Sequence, residues 1–421
     1  MRKMKDSGIE WIGEIPEGWE VGQIGQLYSE RRTKVSDKDY PPLSVTMKGI
    51  LPQLSTAAKT DAHDDRKLVC KGDFAINSRS DRRGSCGISE QDGSISLINI
   101  VLQPRGEMNP GYYNWLFHTS MFADEFYKWG HGIVDDLWTT GWSDMKKIGV
   151  PVPSKCEQKQ LAEHLNFECS NIDTILSKTR SSIEEYKKLK QAVITQAVTK
   201  GVRGERKMKD SGVECIGKIP TTYSICKLKY LLKNPLKYGA NESGIPYSDS
   251  LPRYIRITDI TPDGNLKYTG KLSLSEESAK DYILEDGDIL FARSGATVGK
   301  TFIYYQSYGR SAYAGYLIKA SLNNKVSPKF VYYYTCSSLY EIWKNSIFIQ
   351  STIQNIGADR YANLPVPVPK TLQEQEEIAD YLDAKCAEID GLIAKKEQLV
   401  KELESYKKSL IYEVVTGKRE V

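Results

Sequence analysis

Arginines cluster on a glycine-punctuated stretch in the first half of the chain: Arg79, Arg82 and Arg83, followed by Gly84. A guanidinium fork pairs bidentately with a guanine edge or grips a phosphate, and glycine lets the backbone come close. In the second half Arg293 and Lys300 bracket Ser294-Gly295-Ala296-Thr297-Val298-Gly299. Tyr304, Tyr305, Tyr308, Arg310 and Tyr313 then interleave rings with charge. That suits contact with phosphates and base edges, although alternate residues belong to the core if the segment is a strand. Trp138, Thr139, Thr140 and Trp142 precede one proline joint; Gln354, Asn355, Arg360 and Tyr361 precede another. Gln and Asn amides can pair bidentately with adenine. The candidates for DNA contact are Arg79, Arg82, Arg83, Trp138, Arg293, Lys300, Tyr304, Arg310, Gln354, Asn355 and Arg360. The plainer reading of each is a solvated turn, a cap or a core residue.

Other chemistries find little support. Ser294 to Thr301 resembles a phosphate-binding loop, but the pattern needs glycine at 294. Phe302-Ile303-Tyr304-Tyr305 also reads as a strand where a helix N-terminus should cradle phosphate. The four histidines show no HExxH spacing and the eight cysteines no CxxC pair, so no metal site is expected. No GxSxG elbow or Asn-Pro-Pro-Tyr/Phe methyltransferase motif occurs. The expectation is a chain without catalysis or cofactor of its own. A stand-alone nuclease or NTPase using the Gly295–Thr301 loop is the alternative, and a coiled-coil scaffold that ignores DNA is a third reading.

Net charge is +4, which permits a polyanionic partner without demanding one. Tyrosine is abundant (26) and phenylalanine scarce (9), which favours half-wet recognition faces. No apolar run is long enough to span a bilayer, and no apolar segment follows the charged N-terminal residues. A cytoplasmic protein with free thiols and no membrane association is expected.

The elements that hold these residues repeat. Met4-Lys5-Asp6-Ser7-Gly8-Ile9-Glu10-Trp11-Ile12-Gly13-Glu14-Ile15-Pro16 returns, as a near-copy, from Met208 to Pro220, an offset of 204 residues. Asp6 or Ser7 can cap a short turn in this arm, and Pro16 ends it. Glu157 to Lys200 and Glu374 to Val415 form long stretches without proline; Gly391 is their one glycine. Glu157-Gln158, Ile172-Asp173 and Val198-Thr199 recur as Glu374-Gln375, Ile389-Asp390 and Val415-Thr416, an offset of 217. The frame is copied closely while the second globular insert is 13 residues longer. Ile172, Leu176, Thr179, Ile183, Tyr186, Leu189 or Lys190, Val193 and Ala197 mark a coiled-coil seam, and Leu382, Cys386, Ile389, Ile393, Val400, Leu403, Leu410 and Val414 mark its counterpart.

The spacing predicts an α+β chain with this order: arm 1–17, mixed domain 18–152, helix 153–203, arm 204–220, mixed domain 221–368, helix 369–421. Strands are expected at Lys67–Val69, Gly72–Ile76, Ser94–Leu102, Arg253–Ile257 and Asp288–Ala292, with a helix from about Tyr112 to Trp129. Two long amphipathic helices should pack as an antiparallel coiled coil, relating the globular domains by a pseudo-two-fold axis. A helix of about 30 residues is roughly 45 Å long, against about 34–36 Å for a DNA turn, so the helices are expected to act as a ruler. Trp11-Ile12 and Ile15-Pro16 should pack on the end of the C-terminal helix.

This organisation resembles the specificity subunit of Type I restriction-modification enzymes. The resemblance rests on Asp6-Ser7-Gly8 with Trp11-Ile12-Gly13-Glu14-Ile15-Pro16-Glu17-Gly18-Trp19, and on Gly287-Asp288-Ile289-Leu290 followed by Arg293-Ser294-Gly295. Its third part is the Pro-Val-Pro exit into a helix opening with Glu-Gln, from Pro151 to Gln158 and again from Pro367 to Gln375. It covers the whole chain in family order. Departures are Cys215 for Trp11, Thr222-Tyr223 for Gly18-Trp19, and an extra residue between Gly72 and Arg79 relative to Gly287 to Arg293. The resemblance implies two target recognition domains, each reading half of an interrupted sequence in double-stranded DNA. It implies two docked modification subunits that use S-adenosylmethionine, and restriction subunits, driven by ATP with Mg, that can join.

Overall fold

A computed structural model describes residues 2–53, 64–132, 138–261, 264–295, 297–349 and 355–421. Contacts divide the chain into two compact units, Met1–Arg180 with Gln398–Val421, and Ser181–Glu397. The division falls within both long helices, so each unit holds one globular part and a segment of each helix. Among the described residues, no helix is long and apolar enough to cross a membrane.

Both units are built on the same central sheet. In unit 1 the antiparallel order is Cys86–Ile88, Phe74–Asn77, Asn99–Pro104, Tyr28–Glu30. In unit 2 it is Thr301–Ile303, Ile289–Ala292, Leu317–Ala320, Lys237–Tyr238. The strand after each Gly-Asp pair is buried along its full length, because helices cover one face and a smaller sheet the other. The apolar run Ser94–Leu102 is not one strand. Gly93–Ile95 pairs with Arg66–Val69 and Asn99–Pro104 joins the central sheet, because Asn99 turns the chain by donating from its backbone and side chain to Ser96 O (3.1 and 2.9 Å). The helix expected from Tyr112 to Trp129 is two, Pro110–Phe117 and Ser120–Lys128, with Thr119 Oγ1 capping the second at Phe122 N (3.2 Å).

The Gly-Asp pairs are turns that fix this sheet. Gly72 and Gly287 take φ of 89° and 83°, where a side chain is strained. Asp73 then accepts from Cys70 N (2.9 Å) and from Arg31 Nε (2.6 Å). Asp288 accepts from Glu285 N (2.8 Å) and Ser321 Oγ (2.6 Å), with Lys319 Nζ at 3.6 Å.

The proline exits are strands of two-stranded ribbons, Gly149–Val152 on Glu20–Gln23 and Pro365–Pro369 on Tyr223–Lys227. Prolines are tolerated there because an edge does not need every N–H. The long helices run Lys155–Lys200 and Leu372–Val415. Gly201, at φ 76°, ends the first. The Glu-Gln opening of each helix is structural. Gln158 Oε1 accepts from Asn109 N (2.8 Å) and its Nε2 donates to Pro153 O (2.9 Å). Gln375 does the same to Ser327 N (2.8 Å) and Pro369 O (3.1 Å). Glu157 accepts from Trp19 Nε1 (3.4 Å) and Glu374 from Tyr223 OH (3.2 Å), so Tyr223 takes over the role of Trp19 despite the changed side chain.

The helices pack antiparallel within each unit. In unit 1 Lys407 reaches Asp173 (2.6 Å) and Arg180 reaches Glu404 (2.5 Å). In unit 2 Lys190 reaches Asp390 (2.6 Å) and Lys396 lies over the Tyr186 ring (5.7 Å). The ambiguous seam position is thereby decided: Leu189 is exposed and Lys190 turns inward to a carboxylate. Some helix lysines thus serve the helix pair rather than a solvated face.

Each arm is a hairpin, Met4–Asp6 with Glu14–Pro16 and Met208–Asp210 with Lys218–Pro220. Asp6 and Asp210 accept from Gly8 N and Gly212 N (2.9 and 2.8 Å). Trp11, Ile12 and Ile15 join a core that includes Leu410, Val414 and Val415 at the end of the C-terminal helix. Tyr412 OH and Lys418 Nζ donate to Ile12 O at 3.1 and 2.9 Å. The second arm repeats this on the central helix, with Ile216 and Ile219 beside Ile194, Ala197 and Val198.

Burial holds the His118 imidazole below the usual histidine range, against the raising pull of the Asn114 and Cys86 carbonyls. The folded state therefore resists a proton that the unfolded chain accepts. The stability this contributes is full above pH 6.5 and is lost as pH falls through the lowered folded value. A His118→Gln variant is expected to lose less melting temperature than the parent chain between pH 7.5 and pH 5.5, roughly the range in which histidine titrates. Equal losses would contradict this assignment.

Candidate nucleic-acid interface

In unit 1 the strand Phe74–Asn77 runs into Ser78-Arg79 and the short turn Ser80–Arg82. Gly84, at φ 73°, turns the chain back. The segment before the exit ribbon is laid against this loop. Ser80 N donates to Trp138 O and Thr140 N to Ser78 O, both at 3.0 Å. The structure therefore brings Trp138 to the arginine loop across some 55 residues of sequence. A cleft of about 570 Å³ opens between them, lined by Ser80, Asp81, Arg83, Asp124, Tyr127 and Trp138.

The three arginines differ. Arg79 is exposed and has no acceptor for its side chain among the described residues. Arg82 is 63% exposed and lies 3.8 Å from its neighbour Asp81. Arg83 rests over the Tyr127 ring (5.3 Å) with Asp124 at 3.3 Å. Tyr127 is held by its hydroxyl, which donates to Asn77 O (3.2 Å), while burial pushes its phenol pKa up. Nothing in the sequence singled out Tyr127 or Asp124. Their place depends on the break between the two inner helices.

Unit 2 has the same frame with other residues. Ile289–Ala292 runs into Arg293-Ser294, whose loop turns at Gly295 and Gly299 (φ 80° and 81°). Ile356 N donates to Arg293 O (2.9 Å), and Ser294 bridges to Asn355. Arg293 and Asn355 thus come together, with Lys300 and Arg360 exposed on the same two segments. Gln354 lies outside the described residues.

Two candidates are otherwise engaged. Tyr304 is a core residue, 2% exposed, with its hydroxyl on Gly309 O (2.7 Å). The strand Thr301–Ile303 is buried at every position and Tyr304 continues that buried run, so no exposed stripe of rings forms there. Arg310 is closed by a bidentate pair with Glu276 (2.6 and 2.8 Å), which holds that carboxyl below its usual range. The glycine loop is followed by a strand, Thr301–Ile303, where a phosphate-binding loop leads into a helix N-terminus. Among the described residues, no cluster of three His, Cys, Asp or Glu is placed to hold a metal ion.

A profile for the Type I restriction modification DNA specificity domain matches residues 246–402. The Type I restriction enzyme MjaVIII specificity subunit of Methanocaldococcus jannaschii is 24% identical over 96% of this chain and 93% of its own length. The fold agrees along the whole length: a chain from a structure describing complex assembly and conformational transition of the type I R-M system overlays with a TM-score of 0.73, at 13% identity, over 95% of this chain and 98% of that one. In sequence and in fold the chain is similar to Type I restriction-modification specificity subunits. A putative MjaX specificity subunit from the same archaeon (25% identical, 97% and 95% covered) and the HsdS subunit from Thermoanaerobacter tengcongensis (TM-score 0.53, 14% identical, 96% and 98% covered) agree. Within this chain, the Gly-Asp, Glu-Gln and arm motifs that carry the resemblance all build the frame. The candidate contacts lie on the loops between them.

Proposed function

We propose that this chain is a specificity subunit that reads an interrupted target in double-stranded DNA, one half with each unit, and docks two modification subunits that methylate adenine. Restriction subunits can join the same assembly. S-adenosylmethionine, ATP and Mg act on those partners, and this chain lends recognition. The observation that carries the reading is the repeated frame with unlike contents. Each unit ends its central strand in a cationic loop pinned to the pre-exit segment. One presents Arg79, Arg82, Arg83 and Trp138, the other Arg293, Lys300, Asn355 and Arg360. Identical frames give equivalent placement; different side chains give different half-sites.

Binding to duplex DNA tests this. Affinity is expected to fall with salt, and Arg82→Ala to lower the log–log slope by about one, the signature of one lost phosphate contact. A Lys300→Ala variant is expected to leave any ATP hydrolysis by the purified chain unchanged. Hydrolysis abolished by that change would favour the NTPase reading. An unaltered slope in Arg82→Ala would remove Arg82 from the interface.

A further inference from the structure

Arg293 stands apart from the other arginines of unit 2. Arg203, Arg206, Arg256 and Arg310 each face a carboxylate, and Arg253 donates to Lys267 O. Arg360 is exposed. Arg293 is half-buried, and among the described residues its guanidinium has no acceptor at all. Its Nε is shut off from water without a partner, whereas Nη1 and Nη2 are not.

The residue is also held. Its N–H donates to Tyr316 O (3.0 Å) and its carbonyl accepts from Ile356 N (2.9 Å), so its backbone is fixed from both sides. The guanidinium carbon lies 4.9 Å from the centre of the Tyr238 ring. Tyr238 is fixed in turn: it sits on an edge strand paired to Leu317–Ala320, and its hydroxyl accepts from Ala358 N (3.0 Å). Asn355 and Tyr316 lie exposed beside Arg293 in the chain's pairing.

We propose that Arg293 reads a guanine in the half-site of unit 2, and that Tyr238 is the positioning residue that sets its fork. This rests on the reading of the chain as a DNA-recognition subunit. A guanidinium held over a ring with its Nε covered presents Nη1 and Nη2 as two donors in its own plane. Guanine O6 and N7 present two acceptors in one plane at the matching spacing. Phosphate is better served by the exposed, unstacked Lys300 and Arg360, which need no fixed plane. Lysine cannot replace Arg293, because an ammonium neither stacks flat nor donates as a fork.

The test uses the full chain assembled with its modification subunits in a host, with methylated adenines mapped across the genome. Arg293→Lys is expected to relax one position of the motif, a G·C pair, by about 10–100-fold while every other position holds. Tyr238→Phe keeps the ring and should keep the motif; Tyr238→Leu should relax the same position. Melting of each variant separates lost reading from lost folding. Uniformly weaker methylation with an unchanged motif would make Arg293 a phosphate contact and overturn the proposal. So would relaxation at an A·T pair, or no change. A parent assembly that methylates no defined motif would instead overturn the DNA-recognition reading beneath it.

Discussion

Replacing Ile12 with aspartate is expected to destabilise unit 1 by about 4 kcal/mol or more, through lost burial, a cavity and a carboxylate that finds no partner. Ile12 is fully buried, and its carbonyl anchors Tyr412 and Lys418 near the end of the C-terminal helix. Opening that contact frees the hairpin and the helix end together. At about 2–4 °C per kcal/mol for a unit of this size, melting should fall by roughly 8–16 °C. Lys5→Asp, on the exposed part of the same hairpin, should stay within about 0.5 kcal/mol. Equal melting of Ile12→Asp and Lys5→Asp would mean that the arm is not part of the frame.

Asp73→Ala should cost about 3 kcal/mol, the lower end for breaking a buried pair because Arg31 keeps some solvent. Asp73 is 3% exposed and Arg31 20%, and the carboxylate also accepts from Cys70 N. Its hydrogen bond to the Arg31 guanidinium raises that group's pKa. Without it a cation and an amide lose their acceptor at the start of the strand that delivers Arg79 to Arg83. DNA affinity should therefore fall along with melting temperature. An Arg31→Met, Asp73→Leu double variant should recover most of the stability, since an apolar pair of similar volume replaces an ion pair at little cost. A double variant no better than Asp73→Ala would point to a role for Asp73 other than pairing.

The frame was legible in the sequence for physical reasons. Helical periodicity is local, so Ile172 to Ala197 and Leu382 to Val414 announced the helices and their seam. The duplicated arms announced the two-unit order. What stayed hidden depends on pairing across distance. Asn99 splits an apolar run between two sheets. Lys190 displaces Leu189 at the seam because Asp390 waits opposite. Tyr304, just past the strand Thr301–Ile303, is drawn into the core. The pinning of Trp138 to Ser80, and of Asn355 to Ser294, joins residues that the sequence offered only as separate candidates. Tyr238 had no local signal, since its ring meets Arg293 only after Lys237–Tyr238 pairs with Leu317–Ala320.

The most direct measurement is the methylation pattern produced by the parent chain together with its modification subunits, read across a genome. One motif with two specified blocks separated by a gap of constant length and free sequence is expected. Exchanging the Ser78–Gly84 loop for that of a relative should then alter one block and leave the other. A single contiguous motif, or two blocks that change together when one loop is exchanged, would contradict the claim that two units on a repeated frame read separate halves.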